Sequence, residues 1–158
     1  MKILEKILIL HDIRSVQNVG AIFRTADAIG IDNIIISGIT PAPIDRFGRD
    51  RKDLHKTALG AEKTVLWQQV DNIYDTVSGL KKEGFKIIAL EQSEKSQDYK
   101  TYIPKEKTAI ILGREVEGVD PEILKQCDTV LEIPMNGEKE SLNVSVAAGI
   151  LLYRLFDN

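Results

Sequence analysis

Apolar and polar positions along the chain switch between two patterns. Lys6 to Leu10 and Asn33 to Ser37 are short, nearly continuous apolar runs. Such runs suit strands covered on both faces, as in a parallel sheet. Between them lies Asn18 to Ile29, whose apolar residues Val19, Ile22, Phe23, Ala26 and Ile29 recur at helical spacing. Gly30 stands where a left-handed residue ends a helix, and Asn18 is a residue type that caps one. Gly38, Pro41 and Pro43 then open a loop.

The alternation continues to the end of the chain. The pattern predicts a weak helix or ordered loop over Arg49 to Ala61, a short strand over Thr64 to Trp67 and a helix over Val70 to Glu83 ended by Gly84. Strands follow at Lys86 to Leu90 and Thr108 to Leu112. Pro121 after Asp120 starts a short helix reaching Gln126. A strand at Thr129 to Ile133 stops at Pro134, and a final helix covers Asn143 to Phe156. This β-α-β order predicts an α/β fold with a mostly parallel sheet flanked by helices. No repeat or linker divides the 158 residues, so one domain is expected.

Composition narrows the picture. Apolar residues are 43% and charged residues 28%, a soluble globular mix. No apolar run approaches the ~18 residues of a membrane span, and Met1 to Leu10 lacks the apolar stretch of a signal peptide. The single cysteine, Cys127, has no internal disulfide partner, so cytoplasm is the expected compartment. The net charge of -3 hides a contrast between a basic first part and an acidic remainder. Basic density peaks at Arg46, Arg49, Arg51, Lys52 and Lys56, opposed only by Asp50 and Asp53. That cluster is either a solvated face or a local patch for phosphates. The pI near 5.5 argues against a protein that coats DNA.

Several familiar sites are excluded. No Gly-x-Gly-x-x-Gly follows the first strand. Gly113 to Gly118 lacks the Lys-Ser/Thr of a phosphate-binding loop. Two histidines and one distant cysteine make no zinc spacing, so no metal is expected. No Gly-x-Ser-x-Gly elbow supplies a nucleophile.

Three polar islands remain, each after a strand, where ligands of α/β sheets bind. The first is Asn18-Val19-Gly20-Ala21-Ile22-Phe23-Arg24-Thr25-Ala26-Asp27. Its Arg24 either pairs with Asp27 one turn on or grips a phosphate or developing alkoxide. The second is Leu112-Gly113-Arg114-Glu115-Val116-Glu117-Gly118, whose glutamates are either plain loop solvation or functional. The third runs from Ile133-Pro134-Met135-Asn136-Gly137 to Ser141-Leu142-Asn143-Val144-Ser145-Val146-Ala147-Ala148-Gly149. Ser141 or Asn143 would cap the last helix, but a cap needs only one of them.

Together the islands resemble the three motifs of the SpoU/TrmH branch of the SPOUT RNA methyltransferases, in order and over nearly the whole chain. The resemblance implies a catalytic domain, here over 1–158, and a trefoil knot near the C-terminus; many members of the family carry an extra RNA-binding domain, and none is expected in this sequence. It implies S-adenosylmethionine as cofactor, methyl transfer to a ribose 2′-hydroxyl, RNA as partner with tRNA favoured over ribosomal RNA, and a homodimer. By position, Leu90, Glu91, Gly113, Ile133, Met135 and Leu142 would surround the cofactor. Arg24, Asn18, Glu115, Ser141 and Asn143 would form the catalytic set. Arg14, Arg46, Arg49, Arg51, Lys52 and Lys56 would hold RNA. A catalytically silent RNA-binding relative and a base methyltransferase are the competing readings.

Overall fold

The computed structural model describes residues 4–157. Seven strands form one sheet: β1 (Lys6–His11), β2 (Asn33–Ser37), β3 (Trp67–Val70), β4 (Lys86–Leu90), β5 (Gln97–Asp98), β6 (Thr108–Leu112) and β7 (Thr129–Glu132). Their order is β3-β2-β1-β6-β4-β7-β5, and every pairing is parallel. Six α-helices connect or cover them: α1 (Val16–Ile29), α2 (Lys52–Ala58), α3 (Ala61–Thr64), α4 (Ile73–Lys82), α5 (Pro121–Leu124) and α6 (Val144–Phe156).

The apolar runs form the middle of the sheet because both faces are covered. Successive strand residues point to opposite faces, and the two cores divide accordingly. Leu8, Leu10, Ile34, Ile36, Ile110 and Leu112 join α1, α2 and α6 on one side. Ile7, Ile9, Ile35, Ala109 and Ile111 join α4 and α5 on the other. One row crosses the sheet through Ile35, Ile9, Ile111, Ala89 and Val130.

Helix α1 turns its predicted stripe inward, burying Val19, Ile22, Phe23 and Ala26. It packs so closely on α2 that a Cβ on Gly20 would lie 1.9 Å from Thr57 Oγ1 and 2.7 Å from the Leu54 carbonyl oxygen. Gly30 ends the helix at φ 80°, as expected.

Local details depart from the pattern. The N-cap of α1 is Ser15, whose side chain accepts from the Asn18 amide, so Asn18 lies inside the first turn. The strand expected over Thr64 to Trp67 begins at Trp67 instead, and Ala61–Thr64 is helical. Val65 is buried just after α3, which explains its apolar character without a strand. The true strand exposes Gln68 and Gln69, and its one neighbour is β2. An edge strand can carry polar residues that a central strand cannot. Val70 ends that strand, and the following helix starts at Ile73 under an Asn72 cap. The weak helix over Arg49 to Ala61 resolves into α2 and α3, broken where Leu59 and Gly60 take left-handed backbone. The short β5 lies outside the predicted strands, because exposed Gln97 and half-buried Asp98 carry no period.

Candidate active site

The carboxyl ends of β4, β6 and β7 lie side by side, and the chain beyond each contributes to one cavity of about 270 Å3. The volume is near the lower end for small-molecule sites, about 300 Å3. Leu90 and Glu91 come from the end of β4, Gly113 from that of β6, and Ile133 and Met135 from beyond β7. Leu142 approaches from the segment leading into α6. All six residues expected around a cofactor therefore line the same space. Glu115 and Ser141 line it as well, together with Glu140, Val144 and Ala147.

The loop after β6 is shaped by close approaches. A Cβ on Gly113 would sit 2.7 Å from the Gly118 carbonyl oxygen. Gly118, at φ 72°, faces Glu91, and a Cβ there would lie 1.7 Å from Glu91 Oε2. Only glycine fits both the backbone and the space. Glu91 holds this loop directly, accepting from the Val119 amide at 2.7 Å and from the Gln92 amide at 2.9 Å. Arg114 closes it from the other side, pairing with Asp120 and donating to the Gly118 carbonyl at 3.4 Å. Asp120 also stands near His11, whose Nδ1 meets Ser37 Oγ at 2.7 Å. Arg114 supplies the positive charge at this point. Its place inside the second motif was the only sequence signal for it.

Glu115 reaches across to the start of α1. Its carboxylate accepts from the amides of Ser15 at 3.0 Å and Arg14 at 3.3 Å, and from Asn18 Nδ2 at 3.4 Å. Burial pushes its pKa up, but the amide donors outweigh it and hold the group below its usual range. Asn18 and Glu115 are thus brought together. Asn143 caps α6, accepting from the amides of Ser145 at 2.8 Å and Val146 at 3.4 Å.

Arg24 stands apart from this group. It is exposed on α1 and does not line the cavity. Its expected partner Asp27 instead accepts from Thr64 Oγ1 at 2.7 Å, which leaves the guanidinium without an ion pair among the described residues. Among the basic residues, Arg14, Arg46, Arg49, Lys52 and Lys56 are exposed and Arg51 is half-buried. Two of these charges are partly neutralised, Arg49 by Asp45 at 3.1 Å and Arg51 by Asp53 at 2.8 Å. Arg46 and Arg49 flank the exposed ring of Phe47, at 4.8 and 5.0 Å from its centroid. Sequence patterning had not singled out Phe47.

A parallel sheet with a cavity at the ends of three adjacent strands is the layout of an α/β ligand-binding domain. Residues 5–153 match the model of the SpoU rRNA Methylase family, and the chain belongs to that family. It is 37% identical, over 146 residues, to a 23S rRNA (guanosine-2'-O-)-methyltransferase, RlmB, of Neisseria meningitidis serogroup B, covering 92% of this chain and 56% of that protein. The A. aeolicus TrmH/SpoU tRNA modifying enzyme superposes with a TM-score of 0.83 at 30% identity, over 97% of this chain and 74% of that one. An AdoMet-bound rRNA methyltransferase from Sinorhizobium meliloti superposes with a TM-score of 0.85 at 26% identity, over 95% and 55%. The chain spans about six-tenths of the length of the curated relatives it matches.

Proposed function

We propose that the protein transfers a methyl group from S-adenosylmethionine to a ribose 2′-hydroxyl of RNA. One observation carries the reading: the six residues assigned to the cofactor by position converge on a single strand-end cavity, in a chain of the SpoU family. The donor set fits the cofactor. Leu90, Ile133, Met135 and Leu142 offer apolar wall to adenine, and Gly113 leaves the backbone open to close approach. When bound, S-adenosylmethionine supplies an electrophilic methyl group on a sulfonium.

The chain's own residues do the rest. A ribose hydroxyl must lose its proton as its oxygen takes the methyl carbon. Arg24 is always charged and so does not accept that proton, which passes to solvent water. Standing outside its own chain's cavity, Arg24 serves the cavity of a second copy across the dimer proposed below, where it holds the RNA phosphate and stabilises negative charge developing on the oxygen. Its freedom from any ion pair among the described residues keeps that charge available. Glu115 fastens the second motif to the first, while Asn18, Ser141 and Asn143 present polar groups to the ribose. Arg14 and the segment from Arg46 to Lys56 bind the surrounding phosphates.

The same reading includes a homodimer and a C-terminal trefoil knot. Val146, Ile150 and Tyr153 are exposed on one face of α6, an apolar stripe suited to a second copy. The segments 113–119 and 133–143 both wrap the cavity, and α6 then returns to pack on α1, a path that accommodates a threaded chain. Cytoplasm suits an RNA-modifying chain whose described residues include no helix long and apolar enough to cross a membrane.

Transfer RNA is the favoured substrate, since the tRNA modifying relative is matched over the larger share of its length. The identity to a ribosomal RNA enzyme supports the second reading. Labelled S-adenosylmethionine offered with unmodified tRNA and ribosomal RNA separately, followed by nucleoside mass spectrometry, tests both. A 2′-O-methyl nucleoside from the tRNA pool is expected. A methylated base, or no product with either pool, overturns the proposal.

A further inference from the structure

A second cavity, of about 470 Å3, lies where the loop after β2 meets α2, α3 and the start of β3. It shares no residue with the cavity at the strand ends. Glu62 forms part of its wall, and the side chain of Glu62 is only 5% exposed. One carboxylate oxygen, Oε2, meets His55 Nδ1 at 2.9 Å. The other, Oε1, has no hydrogen-bond partner among the described residues. A buried acceptor left without a donor is costly, and native structures keep few of them.

Of the cations in the wall, two are committed elsewhere, and Lys52 has no ion pair among the described residues. Lys63 is paired with Asp50 at 2.8 Å, and Arg51 with Asp53 at 2.8 Å. None of them donates to Oε1, so a donor from outside the chain would complete it. The last torsion of a glutamate is soft, so a turn about it, releasing Oε2 from the exposed His55, presents both oxygens to the cavity. Trp67 adds a half-buried aromatic plate to the wall; Asp50 on the same wall offsets Lys63 and Asp53 offsets Arg51, which leaves Lys52 as the cation without an ion pair among the described residues.

A buried carboxylate, an indole and the unpaired Lys52 together describe a nucleotide site. The carboxylate selects among bases. Guanine alone presents two adjacent donors, N1–H and the N2 amino group, to a pair of carboxylate oxygens. Adenine and cytosine each set a ring acceptor beside their amino donor, and uracil flanks its one N–H with two carbonyls. We propose that this cavity recognises an unpaired guanine of RNA, with Glu62 reading the base edge, Trp67 stacking on its face and Lys52 meeting the adjoining phosphate. It rests on RNA being the substrate, as proposed above. The base held here is a recognition element and not the nucleotide that is methylated.

Trp67 is the single tryptophan of the chain, so intrinsic fluorescence reports on this cavity. GMP, AMP, CMP and UMP are titrated into the full chain while cofactor binding is followed by calorimetry on the same preparation. GMP is expected to change the emission at about tenfold lower concentration than the other three. Glu62→Gln is expected to erase that preference while leaving the AMP response and cofactor binding in place. Equal responses to all four nucleotides, no response to any, or a preference that survives Glu62→Gln overturns the proposal. The comparison on the unaltered chain decides the matter even where Glu62→Gln does not fold. Cofactor binding without a guanine preference removes the guanine site alone. A guanine preference with neither cofactor binding nor methyl transfer removes the enzymatic reading alone.

Discussion

The carboxylate of Glu115 accepts a hydrogen bond at 3.0 Å from the main-chain N–H of Ser15, 100 positions earlier in the chain. Ser15 is also the N-cap of α1. One side chain thus ties the loop beside the cavity to the helix that carries Arg24. Amide N–H groups at a helix start have no intrahelical acceptor, and Glu115 satisfies those of Ser15 and Arg14 just before the first turn.

That contact makes stability depend on pH. The amides hold the Glu115 pKa below its ordinary 4.5 against the opposing effect of burial. A depressed carboxylate stabilises the fold above its unfolded pKa, and the contribution fades as pH falls through the folded value. Glu115→Gln should lower Tm at pH 7, and the gap to wild type should shrink as pH drops below about 4. Thermal unfolding of both chains between pH 7 and 3 checks this; a gap of constant size would refute it.

Arg24 is exposed and lacks an ion pair among the described residues, so its removal should not disturb the fold. Arg24→Ala should lower methyl transfer by about 10²–10³-fold. Cofactor affinity should be unchanged, and stability should stay within about 0.5 kcal/mol. Single-turnover transfer rates, calorimetry and Tm read the three quantities. Retained activity would remove Arg24 from the catalytic set.

Gly20 marks the closest contact of α1 with α2. Adding a methyl group there meets the Leu54 carbonyl, which is backbone and yields little. Gly20→Ala should cost about 1–3 kcal/mol, with each kcal/mol lowering Tm by about 2–4 °C. Gly79, where a Cβ would meet nothing within 4 Å, is the control. Gly79→Ala in the middle of α4 should stabilise slightly, by about 0.4–1 kcal/mol.

Two roles of Asn143 can be separated. As the cap of α6 its loss to alanine should cost about 1 kcal/mol, whereas serine also caps well. Asn143→Ser should therefore keep Tm while Asn143→Ala lowers it. If both lose methyl transfer, the amide acts on the substrate; if Asn143→Ser stays fully active, Asn143 is a cap alone.

Cys127 should resist alkylation. Burial pushes its thiol up to about 11 from a usual 9.0, with Asp128 adding to the shift and Lys81 opposing it. Because the thiolate is the reactive form, unfolding should speed the reaction with iodoacetamide at pH 7.5 by about a hundredfold. Mass spectrometry of native and denatured samples measures the two rates.

The frame of this protein is written locally. The run Ile7 to Leu10 is apolar because it lies centrally in a sheet covered on both faces. The stripe Val19, Ile22, Phe23 and Ala26 is apolar because one side of α1 is buried. Each follows from the period of its own segment. The motif glycines are equally local in part, since Gly30 and Gly118 answer a backbone demand. Edge elements were less legible: β3 exposes Gln68 and Gln69 at its centre, β5 is Gln97 and Asp98 alone, and each is paired on one side, so their pattern gives no clear strand bounds.

What no segment contains is which distant residues meet. Nothing near Glu115 in sequence says that it will cap a helix start 100 positions away, nor that Asp27 will be taken by Thr64 and Arg24 left without it. Nothing near Glu62 says that its second oxygen will be buried without a donor. Local periodicity sets whether a residue faces a core or solvent. Its hydrogen-bond partner depends on strand order, here β6 lying between β1 and β4, and that order is set by how all the layers pack together.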